Sequence, residues 1–126
     1  MTDTLECNKK IVLDFYNTVV NDKNYDAAIK YLGSNFKEHS FNSIDGLAGL
    51  EQGIKFLIKH PNSDIIIKRI LAEHDLVMLH VHTILEPDTL GYAMMELFRV
   101  EDGKVVEHWD ISESIPDHLY HKNGVF

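Results

Sequence analysis

The sequence predicts an α+β domain in which about three helices pack on one face of a curved, mainly antiparallel sheet of five or six strands. Three observations carry this reading. Before Pro61 the apolar residues recur with a period near 3.6; after it they recur with a period of 2. The stretch Glu96–Ser112 sets Asp102-Gly103 between two alternating runs, a strong hairpin signal because Gly accepts φ > 0 without a Cβ clash. Helices followed by strands, without βαβ alternation, indicate α+β rather than a parallel sheet.

From Leu5 to Val20, Ile11, Val12, Phe15, Tyr16, Val19 and Val20 fall on one side and Lys9, Lys10, Asp14 and Asn17 on the other, an amphipathic helix. Asn24 caps a shorter helix with Ala27, Ala28, Ile29, Tyr31 and Leu32, which Gly33 is placed to stop in the left-handed conformation. Asn35–Phe41 alternates weakly and reads as a short strand with His39 near its end. Asp45 caps a third helix, Gly46–Lys59, with Leu47, Leu50, Ile54, Leu57 and Ile58 inward; it stops before Pro61, whose ring disfavours a helical His60. The strands Asp64–Glu73, Leu76–Glu86, Thr89–Val100 and Lys104–Ser112 follow, and Pro116–Phe126 is irregular. No repeat or linker divides residues 1–126, so one domain is expected.

Composition excludes several classes of function. A chain of 126 residues can bury roughly two-thirds of its unfolded surface, enough for a core without metal or disulfide. A formal charge of −8 argues against nucleic acid and anionic membranes as partners. The single Cys7 makes no intramolecular bridge. The N-terminal stretch has no basic segment followed by an apolar one, and no apolar run approaches ~20 residues, so a cytoplasmic location is expected.

The hairpin is where the chemistry concentrates. With a type I turn and Gly103 in the left-handed position, Val100 pairs with Lys104, and Phe98, Glu96 and Met94 pair with Val106, His108 and Asp110. One face then carries Tyr92, Met94, Glu96, Phe98, Val106, His108 and Asp110; the other carries Met95, Leu97, Arg99, Val105, Glu107, Trp109 and Ile111. Two acids and an imidazole on an apolar face cost several kcal/mol each to desolvate unpaired. A pocket accounts for them better than ordinary core packing does.

Three helices, a first strand bearing His39, then four long strands closing on Phe98-Arg-Val-Glu-Asp-Gly-Lys-Val-Val-Glu-His-Trp-Asp110 resemble the SnoaL-like polyketide cyclases of the nuclear-transport-factor-2-like superfamily. The segments Ile70–Val77, His80-Val-His82 and Phe36–His39 belong to the same likeness, which spans nearly the whole chain. The resemblance implies a cone around a deep, largely apolar pocket, and chemistry done by side chains with no cofactor. It places Asp110 where the cyclases keep a general acid/base, His39 where a related isomerase branch keeps its base, and Tyr16 where a pocket tyrosine sits. Ser40-Phe41 stands where many relatives have Asn-Pro, a departure at the pocket mouth. The fold alone does not select a reaction.

The candidate catalytic residues are therefore Asp110, His39 and His108; Tyr16, Phe15, Tyr92, Met94, Glu96 and Phe98 are candidate substrate contacts. Burial in an apolar cavity would raise the Asp110 pKa toward a useful range. The bland alternatives are that Asp110 only accepts a hydrogen bond from His108, that Glu96 and His108 form a structural pair, and that His39 is a hydrogen-bonded strand-end histidine. His80 and His82 share a strand face, but no third ligand stands at a fixed local spacing, so no metal is expected. Pairing Glu73 with Leu76 sets His80 beside Arg69 and a slip sets it beside Lys68; either basic neighbour suggests an outer surface. Two functions fit: a cofactor-independent lyase or isomerase moving a proton next to a carbonyl in a small apolar or aromatic molecule, or a non-catalytic binder of such a molecule. Met95, Leu97, Trp109 and Ile111, opposite the acids, suggest a homodimer through the convex face.

Overall fold

The computed structural model describes residues 4–126; Met1-Thr-Asp3, part of the stretch read above for an export signal, lies outside the described residues. The helix α1 (Thr4–Val20) leads to a single turn α2 (Tyr25–Ala28) and a 3-10 turn (Ile29–Tyr31), then strand β1 (Leu32–Glu38) and helix α3 (Gly46–Ile58). Four long strands complete the chain: β2 (Asp64–Glu73), β3 (Leu76–Ile84), β4 (Tyr92–Glu101) and β5 (Lys104–Ser114). They form one sheet in the order β1-β5-β4-β3-β2, antiparallel except that β1 runs parallel to β5. This is the expected three-helix α+β architecture. No helix among the described residues is long and apolar enough to cross a membrane.

The inner faces of the strands and the apolar side of α1 make the core. Val77, Leu79 and Val81 of β3 and Val105 of β5 are completely buried. Phe98 of β4 receives Phe15 and Tyr16 of α1 edge-on, with ring centroids 6.1 and 6.2 Å apart. Burying each such side chain is worth about 1.5–3 kcal/mol. Asn24 caps α2 as expected, its side chain accepting from the Ala27 N–H at 3.0 Å.

Several local expectations are corrected. The second helix is shorter than its apolar pattern suggests, and Gly33 does not end it in the left-handed region: Leu32 and Gly33 already belong to β1. A Cβ on Gly33 would lie 2.7 Å from the Val106 side chain, so the glycine allows close strand approach rather than a turn. On α3, Leu47 and Ile58 are exposed instead of inward, while Ile54 is buried in the core and Leu50 and Leu57 pack against it.

The β4–β5 hairpin closes through a two-residue loop. Asp102 and Gly103 both have positive φ, the type I′ geometry, and Glu101 pairs with Lys104. The register shifts between Arg99 and Val100, leaving Val106 as the extra residue of a bulge. Beyond it Phe98 lies opposite His108, Glu96 opposite Asp110 and Met94 opposite Ser112, two residues from the expected pairing. A shift of two preserves every face. The acids stay inward; only Val105 and Val106 exchange roles, Val105 pairing with Val100 in the core.

Candidate active site

A cavity of about 590 Å³ opens between α1, α3 and the inner face of the sheet. Phe15, Tyr16, Val19 and Val20 line it from α1, Leu50, Gly53, Phe56 and Leu57 from α3, and Phe36 from β1; Met94, Phe98 and Tyr92 come from β4. The ionisable groups Glu38, Glu96, His108 and Asp110 gather together with Ser40; Asn42, Ser43, Thr83 and Ser112 also line the cavity. All of the expected substrate contacts and two of the three expected catalytic residues therefore share one cavity.

His108 sits between two carboxylates. Its Nδ1 lies 2.6 Å from Glu38 Oε1 and its Nε2 3.2 Å from Glu96 Oε1, while its ring packs on Phe98 at 4.7 Å. Burial alone would lower the imidazole pKa, but the hydrogen bonds and charges of Glu38 and Glu96 outweigh it and push it up to about 10. His108 is thus a fixed imidazolium donating through both nitrogens, not a group that titrates near neutrality. Glu96, 6% exposed, feels the converse balance. Burial raises its pKa, yet the hydrogen bond and charge of His108 and the hydrogen bonds of Tyr16 and Asp110 hold it below the usual carboxylate range. The Tyr16 hydroxyl, buried and facing Glu96, is raised well above its ordinary value.

Asp110 is the half-satisfied member. Burial pushes its carboxyl up, a hydrogen bond from Ser40 opposes this, and the charge of Glu96 across the strand pair raises it again; the result is about 6. Local pairing explains the placement. Glu96 and Asp110 are directly opposite on β4 and β5, so two carboxylates face one another in a low-dielectric cavity and one keeps its proton more readily.

Glu38 and Ser40 were not among the sequence candidates. The Glu38 Oε1 accepts from the backbone N–H groups of His39 and Ser40, each at 3.0 Å, as well as from His108. Its own N–H donates to Asp45, which also accepts from Gly46 N at the start of α3. The signal was the alternation Phe36, Glu38, Ser40, which puts all three on the side of an inward Phe36.

The same alternation corrects His39. Its neighbour Glu38 points inward, so His39 turns outward; there its Nε2 meets Glu107 Oε2 at 2.6 Å and its ring stacks on Trp109 at 4.9 Å with an interplanar angle of 5°. It is absent from the cavity wall. His80 and His82 are also on the outer face. Arg69 donates to His80 Nδ1 at 3.0 Å, the Glu73–Leu76 pairing holds, and Phe126 packs against both rings.

Glu96, His108 and Asp110 each offer a donor atom within 4.8 Å of the others, a potential metal triangle. In this arrangement the His108 Nε2 that faces the triangle is already engaged with Glu96 Oε1 at 3.2 Å.

Residues 10–116 match the family model of the SnoaL-like polyketide cyclases. No curated protein matches the chain. Among solved structures, AclR from Streptomyces galilaeus, a candidate hydroxylase, shares the fold with a TM-score of 0.70 at 22% identity, over 87% of this chain and 91% of its own. A polyketide cyclase candidate from Bacillus cereus gives 0.72 at 19%, covering 85% and 74%. An LEH-like epoxide hydrolase of M. tuberculosis gives 0.66 at 18%, covering 88% and 86%. At these identities the likeness concerns the fold alone.

Proposed function

Because the chain belongs to the SnoaL-like polyketide cyclase family, we propose that it is a cofactor-independent enzyme of lyase or isomerase type that moves a proton next to a carbonyl, as in a ring-closing aldol step. The observation that carries this reading is Asp110: a carboxyl poised at about 6 in a largely apolar cavity, beside a cluster in which His108 sits between Glu38 and Glu96. Ionised Asp110 takes the α-proton, and the C–H electron pair moves to the carbonyl oxygen as an enolate. The enolate carbon attacks a second carbonyl, and the protonated Asp110 returns its proton to the new alkoxide. Ser40 no longer needs to donate to Asp110 once that carboxyl is protonated, so its hydroxyl is free to turn to the developing oxyanion. His108 keeps its proton between Glu38 and Glu96, and the three hold the electrostatic setting without exchanging protons with the substrate.

A second reading, a non-catalytic binder of the same kind of molecule, draws on the mutual satisfaction of Glu38, His108 and Glu96. Asp110→Asn separates the two. As a base, Asp110 contributes about 10²–10⁴-fold in rate, with affinity and folding nearly unchanged in the Asn variant and an acid limb near pH 6 in the wild-type profile. Unimpaired turnover of a substrate by Asp110→Asn would eliminate Asp110 as the base.

The outer face supports a homodimer as part of the same proposal. Met95 pairs with Ile111 and Leu97 with Trp109, so the four apolar side chains form one contiguous patch, with Met95 and Ile111 44% and 60% exposed. Sedimentation should give a dimer at micromolar concentration and a monomer for Ile111→Lys. A monomeric wild type would refute it.

A further inference from the structure

The cavity wall contains no lysine or arginine. Its titratable groups are Tyr16 of α1, Glu38 of β1, Tyr92 and Glu96 of β4, and His108 and Asp110 of β5; α3 contributes none. The positive charge of His108 is consumed within the wall, since both ring nitrogens donate to glutamates. Two carboxylates against one imidazolium leave the polar end negative even before Asp110 ionises, and its ionisation adds to this. No cation at that end is free to pair with an anion, whereas Ser40 can donate a hydrogen bond to a carbonyl and ionised Asp110 can accept one from a hydroxyl. The rest of the wall is mainly aromatic and aliphatic, with only the uncharged polar groups Asn42, Ser43, Thr83 and Ser112 besides.

We propose that the pocket selects uncharged carbonyl compounds and rejects those that carry a carboxylate, phosphate or sulfonate on the part that reaches Glu96 and Asp110. This deepens the proposed function, resting on its premise that the substrate occupies this cavity, but it concerns binding and not proton transfer. An anion a few ångströms from a net negative cluster in a partly dry cavity loses roughly tenfold or more in affinity.

Two probes of the same skeleton test it: 2-acetylnaphthalene, an uncharged methyl ketone, and naphthalene-2-sulfonate, charged at all pH values used. Their dissociation constants are measured calorimetrically on the whole protein between pH 8 and pH 5. At pH 8 the ketone should bind at least tenfold more tightly. Toward pH 5, as Asp110 takes its proton, the sulfonate should gain several-fold while the ketone stays constant. Asp110→Asn should remove that pH dependence and bind the sulfonate at pH 8 as the wild type does at pH 5. Equal or tighter sulfonate binding at pH 8, or no ketone binding up to millimolar concentration, would overturn the inference. No turnover is read, so these outcomes stay distinct from the rate of Asp110→Asn: a wild type that binds the two probes equally would refute this inference and leave the acid/base reading standing.

Discussion

Replacing His108 with Gln removes the cation that lies between Glu38 and Glu96 and leaves two buried carboxylates facing one another. The size of the effect follows from the geometry. All three side chains are about nine-tenths buried, at 12%, 11% and 8% exposure, so solvent screening is small. Raising the imidazole from its ordinary 6.5 to about 10 corresponds to roughly 5 kcal/mol at ~1.4 kcal/mol per unit. Removing one partner of a buried pair costs about 3–5 kcal/mol, in agreement. At about 3 °C per kcal/mol for a domain of this size, the melting temperature should fall by about 10–15 °C. The pH dependence has a definite sign. The unfolded chain releases the His108 proton near 6.5 and the folded chain near 10, so the stabilisation is fully present below pH 6.5 and is lost as pH rises through about 10. Thermal melts followed by circular dichroism should therefore show the wild type declining from neutral to alkaline pH and the Gln variant declining less. A variant melting within about 3 °C of wild type would refute the buried imidazolium, as would His108 ring resonances that titrate between pH 6 and 7.5.

Substitutions at two glycines, one on the cavity wall and one against β3, test the packing. Gly53 sits mid-helix on the cavity side of α3, between Leu50 and Leu57, and a Cβ there meets nothing within 4 Å. Gly53→Ala should stabilise the helix by roughly 0.5–1 kcal/mol, read as a higher melting temperature, and Gly53→Phe should weaken binding of a naphthalene-sized probe by filling the mouth. Gly91, at φ 81°, would place a Cβ 2.2 Å from the Thr83 carbonyl oxygen, so Gly91→Ala should destabilise by about 2 kcal/mol or more in denaturant titration.

The sequence by itself determined the element types, because periods of 3.6 and 2 and the turn chemistry of Asp102-Gly103 are local properties. It also determined which β4 and β5 side chains share a face, apart from Val105 and Val106 at the bulge. Alternation survives a two-residue error in register, so Glu96, His108 and Asp110 came together in one cavity although their pairing was misread and a bulge at Val106 was missed. Tertiary structure decided the rest. Glu38 reaches His108 only because β1 lies parallel beside β5, a contact across 70 positions that no local pattern records. His39 and Glu38 differ by one residue, and in a strand one residue is the difference between the two faces of the sheet. The alternation Phe36, Glu38, Ser40 hints at which of them points inward, and the pairing of Glu38 with His108 and the clasp of Asp45 on the Glu38 backbone settle it. The charge state of the site was hidden for the same reason: an imidazole is held protonated well above its ordinary range by two carboxylates from different strands, and Asp110 becomes a poised acid through burial and a carboxylate opposite.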